Sequence, residues 1–256
     1  MSLTIGSTPG APPKGDFVAN HPSVEPFHLT PPAFRARHFP LADAAGVLSP
    51  NAVDFIATGA IVFDHPIPYT GGSADDGSAT ASQSQGPRVL LIQRAPQDSM
   101  PLHWETPGGG CDDDDTSVLH ACARELREEA GLTATAVGPL VRCSAAGVDE
   151  GGAPGSLTRT PGGPERGEVM GAHFFHTRRG KLVCKFYFVV DVPSTQLAQV
   201  TLDPAEHVKF VWASEEEVLN QRMNGADGIS LMFTTTEQRS VILEAFRLWK
   251  AAAGKA

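Results

Sequence analysis

Residues 125, 128 and 129 of this chain are all glutamate, within the run Arg124-Glu125-Leu126-Arg127-Glu128-Glu129-Ala130-Gly131-Leu132. Val118, Leu119, Cys122 and Leu126 recur at helical spacing and predict an α-helix that begins near Asp115 or Thr116 and stops at Gly131. Positions i, i+3 and i+4 of such a helix share one face, within about 100° of arc. Like charges at that spacing repel unless a cation neutralises them. Clustered hard oxygen ligands suit Mg²⁺, which is held by a few carboxylates together with substrate phosphates. The helix therefore predicts a metal and phosphate site, its apolar stripe packed inward and its acidic face turned toward a cleft.

The rest of the composition narrows the setting. At 256 residues and 41% hydrophobic content, the chain can build one large domain or one domain with extensions. A formal charge of −9 speaks against a nucleic-acid surface, which carries a basic stripe. Phosphates must then be handled locally, by metal ions and a few placed Arg or Lys. Cys111, Cys122, Cys143 and Cys184 show no CxxC pairing, so free thiols in a reducing compartment are expected. The nine histidines show no HxH or HExxH spacing and do not suggest zinc chemistry. With no apolar run of about 18 residues and no signal-peptide pattern, the reading is a soluble, cytoplasmic protein with no membrane partner.

Residues 1–50 are Pro-rich, with Pro12-Pro13 and Pro31-Pro32, and read as a largely irregular N-terminal extension. Phe27, Phe34, Phe39 and Leu41 are available to anchor its second half. A domain over 51–256 follows, with insertions at about 70–87 and 147–169 and a C-terminal helix. Strands are predicted at 55–63 and 88–94, joined as a long hairpin-like excursion through the Gly/Ser/Asp-rich loop 70–86. Further strands are predicted at 134–143, 171–176, 182–192 and 207–213. Ser214 with Glu217, and Thr234 with Glu237, predict capping boxes that open two closing helices. Ile242, Ala245, Phe246 and Trp249 give the second helix a packing face.

The acidic helix and its approach resemble the Nudix box, Gly-x5-Glu-x7-Arg-Glu-U-x-Glu-Glu-x-Gly-U with U aliphatic. Gly110, Arg124, Glu125, Leu126, Glu128, Glu129, Gly131 and Leu132 occupy its positions, and Leu90–Ala95 and Trp104–Gly110 look like the segments that lead into it. The resemblance runs from about Phe55 to about Leu219. One position departs: Thr116 stands where the family has its first glutamate, which supports the box's loop and arginine. Thr116 is expected to cap the helix through its hydroxyl instead. Asp115 is adjacent but one residue out of register. The four aspartates 112–115 otherwise read as a solvated acidic loop that favours the helix's positive end.

The resemblance implies an α+β fold, an α/β/α sandwich with a mixed central sheet and the box as loop-helix-loop. It also implies a Mg²⁺- or Mn²⁺-dependent hydrolase that cleaves the diphosphate of a nucleoside diphosphate linked to another group by water attack on phosphorus. Glu125, Glu128 and Glu129 are the expected metal ligands. Glu125, Glu129 and the outlying Glu206 are the candidate catalytic carboxylates, with Glu165 and Glu168 as rivals for the general base. Arg94, Trp104, Gly109 and Gly110 are the candidate substrate-binding residues. Arg124, pairing with Glu128 at i+4, and Gly131 are structural. Val148 and its neighbours lack the proline or tyrosine of the ADP-ribose and diadenosine polyphosphate subtypes, and the NADH subtype's SQPWPFPxS pattern is missing. The substrate stays open within nucleotide-derived diphosphates, and the assembly stays open between monomer and homodimer. A catalytically weak Nudix-like module that binds a nucleotide or a protein is the alternative.

Overall fold

The structure, a computed structural model, describes residues 17–40, 52–65, 86–142, 171–225 and 228–254. Its centre is β6 (Leu182–Asp191), an almost wholly buried strand of β-branched and aromatic residues. It pairs in parallel with β1 (Phe55–Ile61), Phe55 opposite Val183 through Ile61 opposite Val189. Antiparallel to it run β4 (Ala136–Val141) and β5 (His173–His176). A second, antiparallel sheet has the order β3 (Trp104–Glu105), β2 (Arg88–Arg94), β7 (His207–Ser214).

The two sheets act as one layer because alternate residues face opposite sides. Ala60, Val62, Leu90, Ile92, Phe186 and Phe188 enter one core, and Ile61, Phe63, Val89, Leu91, Tyr187 and Val189 enter the other. The acidic helix α2 (Val118–Ala130) closes the first core. The second is closed by α3 (Glu215–Asn220) and α4 (Thr236–Ala253), through Val218, Val241, Ile242, Ala245 and Phe246. This is the expected α+β sandwich with a mixed sheet at its centre.

The predicted hairpin-like excursion between β1 and β2 is antiparallel only where its loop leaves and returns. The two strands belong to different sheets and meet at the Phe63–Val89 bridge, where Leu90 N–H donates to Val62 O at 2.9 Å. β1 and β2 are each buried on both faces, and each takes its main partners within its own sheet. Residues 70–85 of the predicted loop and the 147–169 insertion with its Glu165 and Glu168 fall outside the described residues, as does Cys143.

The Pro-rich arm also departs from expectation, because residues 22–28 and 31–38 are helical. Pro22–His28 forms a 3₁₀ helix and α1 spans Pro31–His38, capped by Thr30. Prolines at the first helical positions preset φ and lose no needed donor, so here they start helices rather than forbid them. Phe27 stacks on Phe34 at 5.1 Å and meets Phe186 and Phe188 edge-on at 4.8 and 5.0 Å. The carbonyl of Leu29 accepts from Val118 N–H at 3.0 Å, satisfying a first-turn donor of α2. Leu41 falls outside the described residues. Phe34→Ala is expected to destabilise the protein by about 3–5 kcal/mol, read from urea unfolding. A loss below about 1 kcal/mol would show that the arm does not share the core.

Of the two capping boxes, Ser214 with Glu217 forms, with Glu217 N–H on Ser214 Oγ at 3.3 Å and Ser214 N–H on Glu217 Oε2 at 2.8 Å. The other shifts by one residue: Thr235 caps α4 by accepting from Gln238 N–H at 3.0 Å. Cys111, Cys122 and Cys184 form no disulfide. No helix among the described residues is long and apolar enough to cross a membrane.

Candidate active site

Helix α2 begins one residue later than Thr116 would place it. Ser117 is the cap, in an extended conformation, and accepts from His120 N–H at 3.2 Å. Thr116 is exposed and does not cap, which corrects the role expected for it. Gly131 ends the helix at φ 69, a left-handed conformation open to glycine, with its N–H on Arg127 O at 3.0 Å. Val118, Leu119, Ala121, Cys122, Leu126 and Ala130 are buried beneath the helix. That stripe fixes the rotation of α2 and sends Glu125 and Glu129 toward a cleft of about 550 Å³.

Glu129 forms the floor of the cleft. Its Oε2 accepts from Gly108 N–H at 2.6 Å, and it is 7% exposed. Burial, reinforced by the charges of Glu105 and Glu125, pushes its carboxyl up to about 9 despite the Gly108 hydrogen bond. Burial also raises Glu125, with Arg124 opposing and Glu128 and Glu206 reinforcing. Two acids in one cleft thus resist ionising together, the condition under which a divalent cation is favoured.

Arg124 organises the rim. Nη1 donates to Glu125 Oε1 at 2.8 Å and to Glu128 Oε2 at 2.9 Å, the latter being the expected i+4 pair. Nη2 reaches Gly110 O at 3.0 Å. The remaining donors go to Asp115, Nε to Oδ1 at 3.1 Å and Nη2 to Oδ2 at 3.0 Å. Its guanidinium is raised above the usual arginine range, the Asp115 hydrogen bonds contributing most. Glu128 is about half exposed and does not line the cleft, so α2 brings two of its three glutamates inside and leaves the third on the flank.

The opposite wall comes from the loop 203–206 and the start of β7. Glu206 is exposed at the rim, its loop held by Ala95 N–H on Glu206 O at 2.7 Å and by His207 N–H on Asp203 O at 2.8 Å. His207, the next residue, is buried and its Nε2 lies 3.4 Å from Glu105 Oε1. Ligand atoms of Glu129, Glu206 and His207 all lie within 4.8 Å of one another. Glu105 is itself buried. Burial would raise its carboxyl, but the His207 hydrogen bond and the charges of Lys185 and Arg94 outweigh that and hold it low.

The expected substrate-binding residues divide. Gly109 and Gly110 line the cleft. Arg94 lines it too, but its guanidinium is engaged by Glu105, Asp98 and the Ser99 carbonyl. Trp104 is not at the cleft. It is fully buried in the second core, with Nε1 donating to Ser230 O at 3.0 Å, so its role is packing. Sequence reasoning missed Glu105 and His207, which lie far apart in the chain. The one available signal was the adjacency of His207 to Glu206.

The NUDIX domain family model matches residues 78–232, more than half of the sequence. The chain belongs to the Nudix family. This Nudix protein is accordingly a hydrolase acting on anhydrides, and its sandwich is the family's fold. Among solved structures it is similar to a MutT protein from Methanosarcina mazei Go1, at 19% identity and TM-score 0.43, covering 75% of this chain and 92% of that one. The E. coli ORF135 protein is similar at 22% identity and TM-score 0.42, covering 77% and 91%. A C. elegans Ap4A hydrolase is similar at 16% identity and TM-score 0.44, covering 79% and 99%. No curated protein matches the sequence.

Proposed function

We propose that this Nudix hydrolase cleaves the diphosphate linkage of a nucleoside diphosphate derivative and that it does so with Mg²⁺ or Mn²⁺. The observation that carries this reading is the buried Glu129, its carboxyl raised to about 9 and grouped within 4.8 Å of Glu206 and His207. A buried acid crowded by other acids is a costly arrangement for the folded chain, and it is useful where a cation replaces the proton. Oxygen donors from Glu129 and Glu206 and a nitrogen from His207 fit a divalent ion. Glu125 and Glu128, gathered by one nitrogen of Arg124, supply further carboxylates. When bound, the cation would neutralise the diphosphate and lower the pKa of water.

The chain's own groups do the rest. Glu206, exposed at the rim beside the buried Glu129, is the candidate to take a proton from attacking water. The glycines 108–110 keep the cleft wall free of side chains and allow a phosphate to approach the backbone. The Arg94–Glu105–His207 chain fixes the orientation of the imidazole next to Glu206.

The test is release of phosphate or nucleotide from dinucleoside polyphosphates, nucleotide sugars, NADH, CoA and oxidised nucleotides, with Mg²⁺, Mn²⁺ or EDTA. Hydrolysis of at least one class is expected with either metal, and none with EDTA. No turnover on any of them, together with Mn²⁺ binding unaltered in Glu129→Gln, would overturn the proposal.

A further inference from the structure

A chain with threonine at position 116 should leave the box arginine without its carboxylate. Arg124 is nevertheless fully paired: its five N–H donors meet Asp115 twice, Gly110 O, Glu125 and Glu128. Building on the Nudix reading of the site, we infer that Asp115 is the positioning residue that fixes Arg124, and through it Glu125 and Glu128, in place of the missing glutamate at 116.

The loop explains how a residue out of register reaches the arginine. Asp115 N–H donates to Asp112 O at 3.1 Å, and Asp112 N–H donates to Asp115 Oδ2 at 2.8 Å. This turn folds the loop back over the start of α2 and aims the short Asp115 side chain inward. The consecutive aspartates are therefore not equivalent: the side chain of Asp115 is 8% exposed, against 68% for Asp112 and 74% for Asp113. Thr116 faces solvent. The Asp115 pair is two-pronged, the geometry in which a guanidinium gains orientation as well as energy. Without it, two donors of Arg124 lose their partners and the guanidinium can rotate. Glu125 Oε1 and Glu128 Oε2 share its Nη1, so both would lose their fixed positions together.

A loop clamp with no bearing on the site would not move metal affinity or depend on where the carboxylate comes from. The test therefore compares the unsubstituted protein with Asp115→Ala, Asp115→Asn, Thr116→Glu and the double variant Asp115→Ala/Thr116→Glu. The readouts are Mn²⁺ affinity by electron paramagnetic resonance, kcat and KM on any substrate found, and the Arg124 Nε–H resonance by NMR. Asp115→Ala is expected to weaken Mn²⁺ binding and lower kcat by about 10-fold or more, with KM little changed and the Nε–H resonance exchanging fast with water. Asp115→Asn keeps the side chain's size and one acceptor, and is expected to fall between. Thr116→Glu alone should change none of these by more than about twofold, since Arg124 has no donor left. In the double variant the new glutamate should restore most of the loss and the protected Nε–H.

Unchanged Mn²⁺ affinity in both Asp115 variants, or a double variant no better than Asp115→Ala, would overturn the assignment. If the unsubstituted protein binds no Mn²⁺, the proposed function fails. The Arg124 resonance then decides this inference by itself: Nε–H protection lost in Asp115→Ala and regained in the double variant supports it, and protection unchanged overturns it.

Discussion

Glu129→Gln is expected to make the metal-free protein more stable above neutral pH while removing most of its metal-dependent turnover. In the folded state the carboxyl is raised to about 9 from its ordinary 4.5. A raised acid binds its proton more tightly when folded than when unfolded. Its contribution to stability is complete below the unfolded value and is lost as pH rises from there through about 9. Every tenfold difference in proton affinity between the folded and unfolded chain is worth about 1.4 kcal/mol, so near pH 8 the loss is on the order of a few kcal/mol. Glutamine keeps the shape, can still accept from Gly108 N–H, and never ionises. The melting temperatures of the two proteins in EDTA should therefore agree below about pH 5 and separate toward pH 8, the variant standing higher. Mn²⁺ should raise the melting temperature of the parent protein more than that of the variant, by mass action. Binding near pH 7 should release about one proton. Turnover should fall by about 10²-fold or more. A variant that melts lower than the parent near pH 8 would show that Glu129 is not held protonated by its surroundings.

The three consecutive glycines at the cleft should respond to alanine in three different ways. Gly108 has φ 146, and a Cβ there would lie 2.2 Å from Thr58 O and 2.7 Å from Gly59 Cα. Both are backbone atoms of β1, a strand locked against β6, so nothing nearby can yield. Gly108→Ala is expected to cost about 4 kcal/mol or more and to break the N–H contact to Glu129. At Gly109 the new Cβ would lie 2.8 Å from Glu125 Oε2, the movable end of a side chain. Gly109→Ala should fold, shift Glu125 and lose activity. At Gly110 nothing lies within 4 Å, so Gly110→Ala should be close to neutral for folding. Urea unfolding together with the hydrolysis assay separates the three. Equal stability of Gly108→Ala and Gly110→Ala would contradict the close approach of this wall to β1.

What could be read from the sequence was what depends on local spacing. The Arg124–Glu128 pair and the apolar stripe under α2 follow from helical periodicity, the stop at Gly131 from glycine's access to positive φ, and each is found where it was expected. The groups that were missed act at long range or through loop conformation. Glu105 and His207 meet because β2 carries both β3 and β7 as neighbours, a pairing no local pattern encodes. Asp115 reaches Arg124 through a turn whose path depends on hydrogen bonds inside the aspartate run. Trp104, expected at the substrate, packs instead in the second core, and its depth there depends on Phe233 and α4 arriving from the far end of the chain. The helices of the Pro-rich arm were hidden by counting prolines without asking which position of a turn each would occupy.

The parallel pairing of β1 with β6 also sets a timetable. Phe55 leaves the ribosome long before Val183 exists to lie beside it. At ordinary rates of synthesis the interval is on the order of ten seconds. Throughout it, six consecutive residues that end up buried, Ile56 to Ile61, are exposed without the strand they pair with. The sheet at the centre of the molecule is therefore among the last parts to assemble, and closing so long a loop slows that step further. A nascent chain interrupted between residues 61 and 183 would carry this strand with its β6 edge unpaired, a ready template for aggregation or a chaperone's grip.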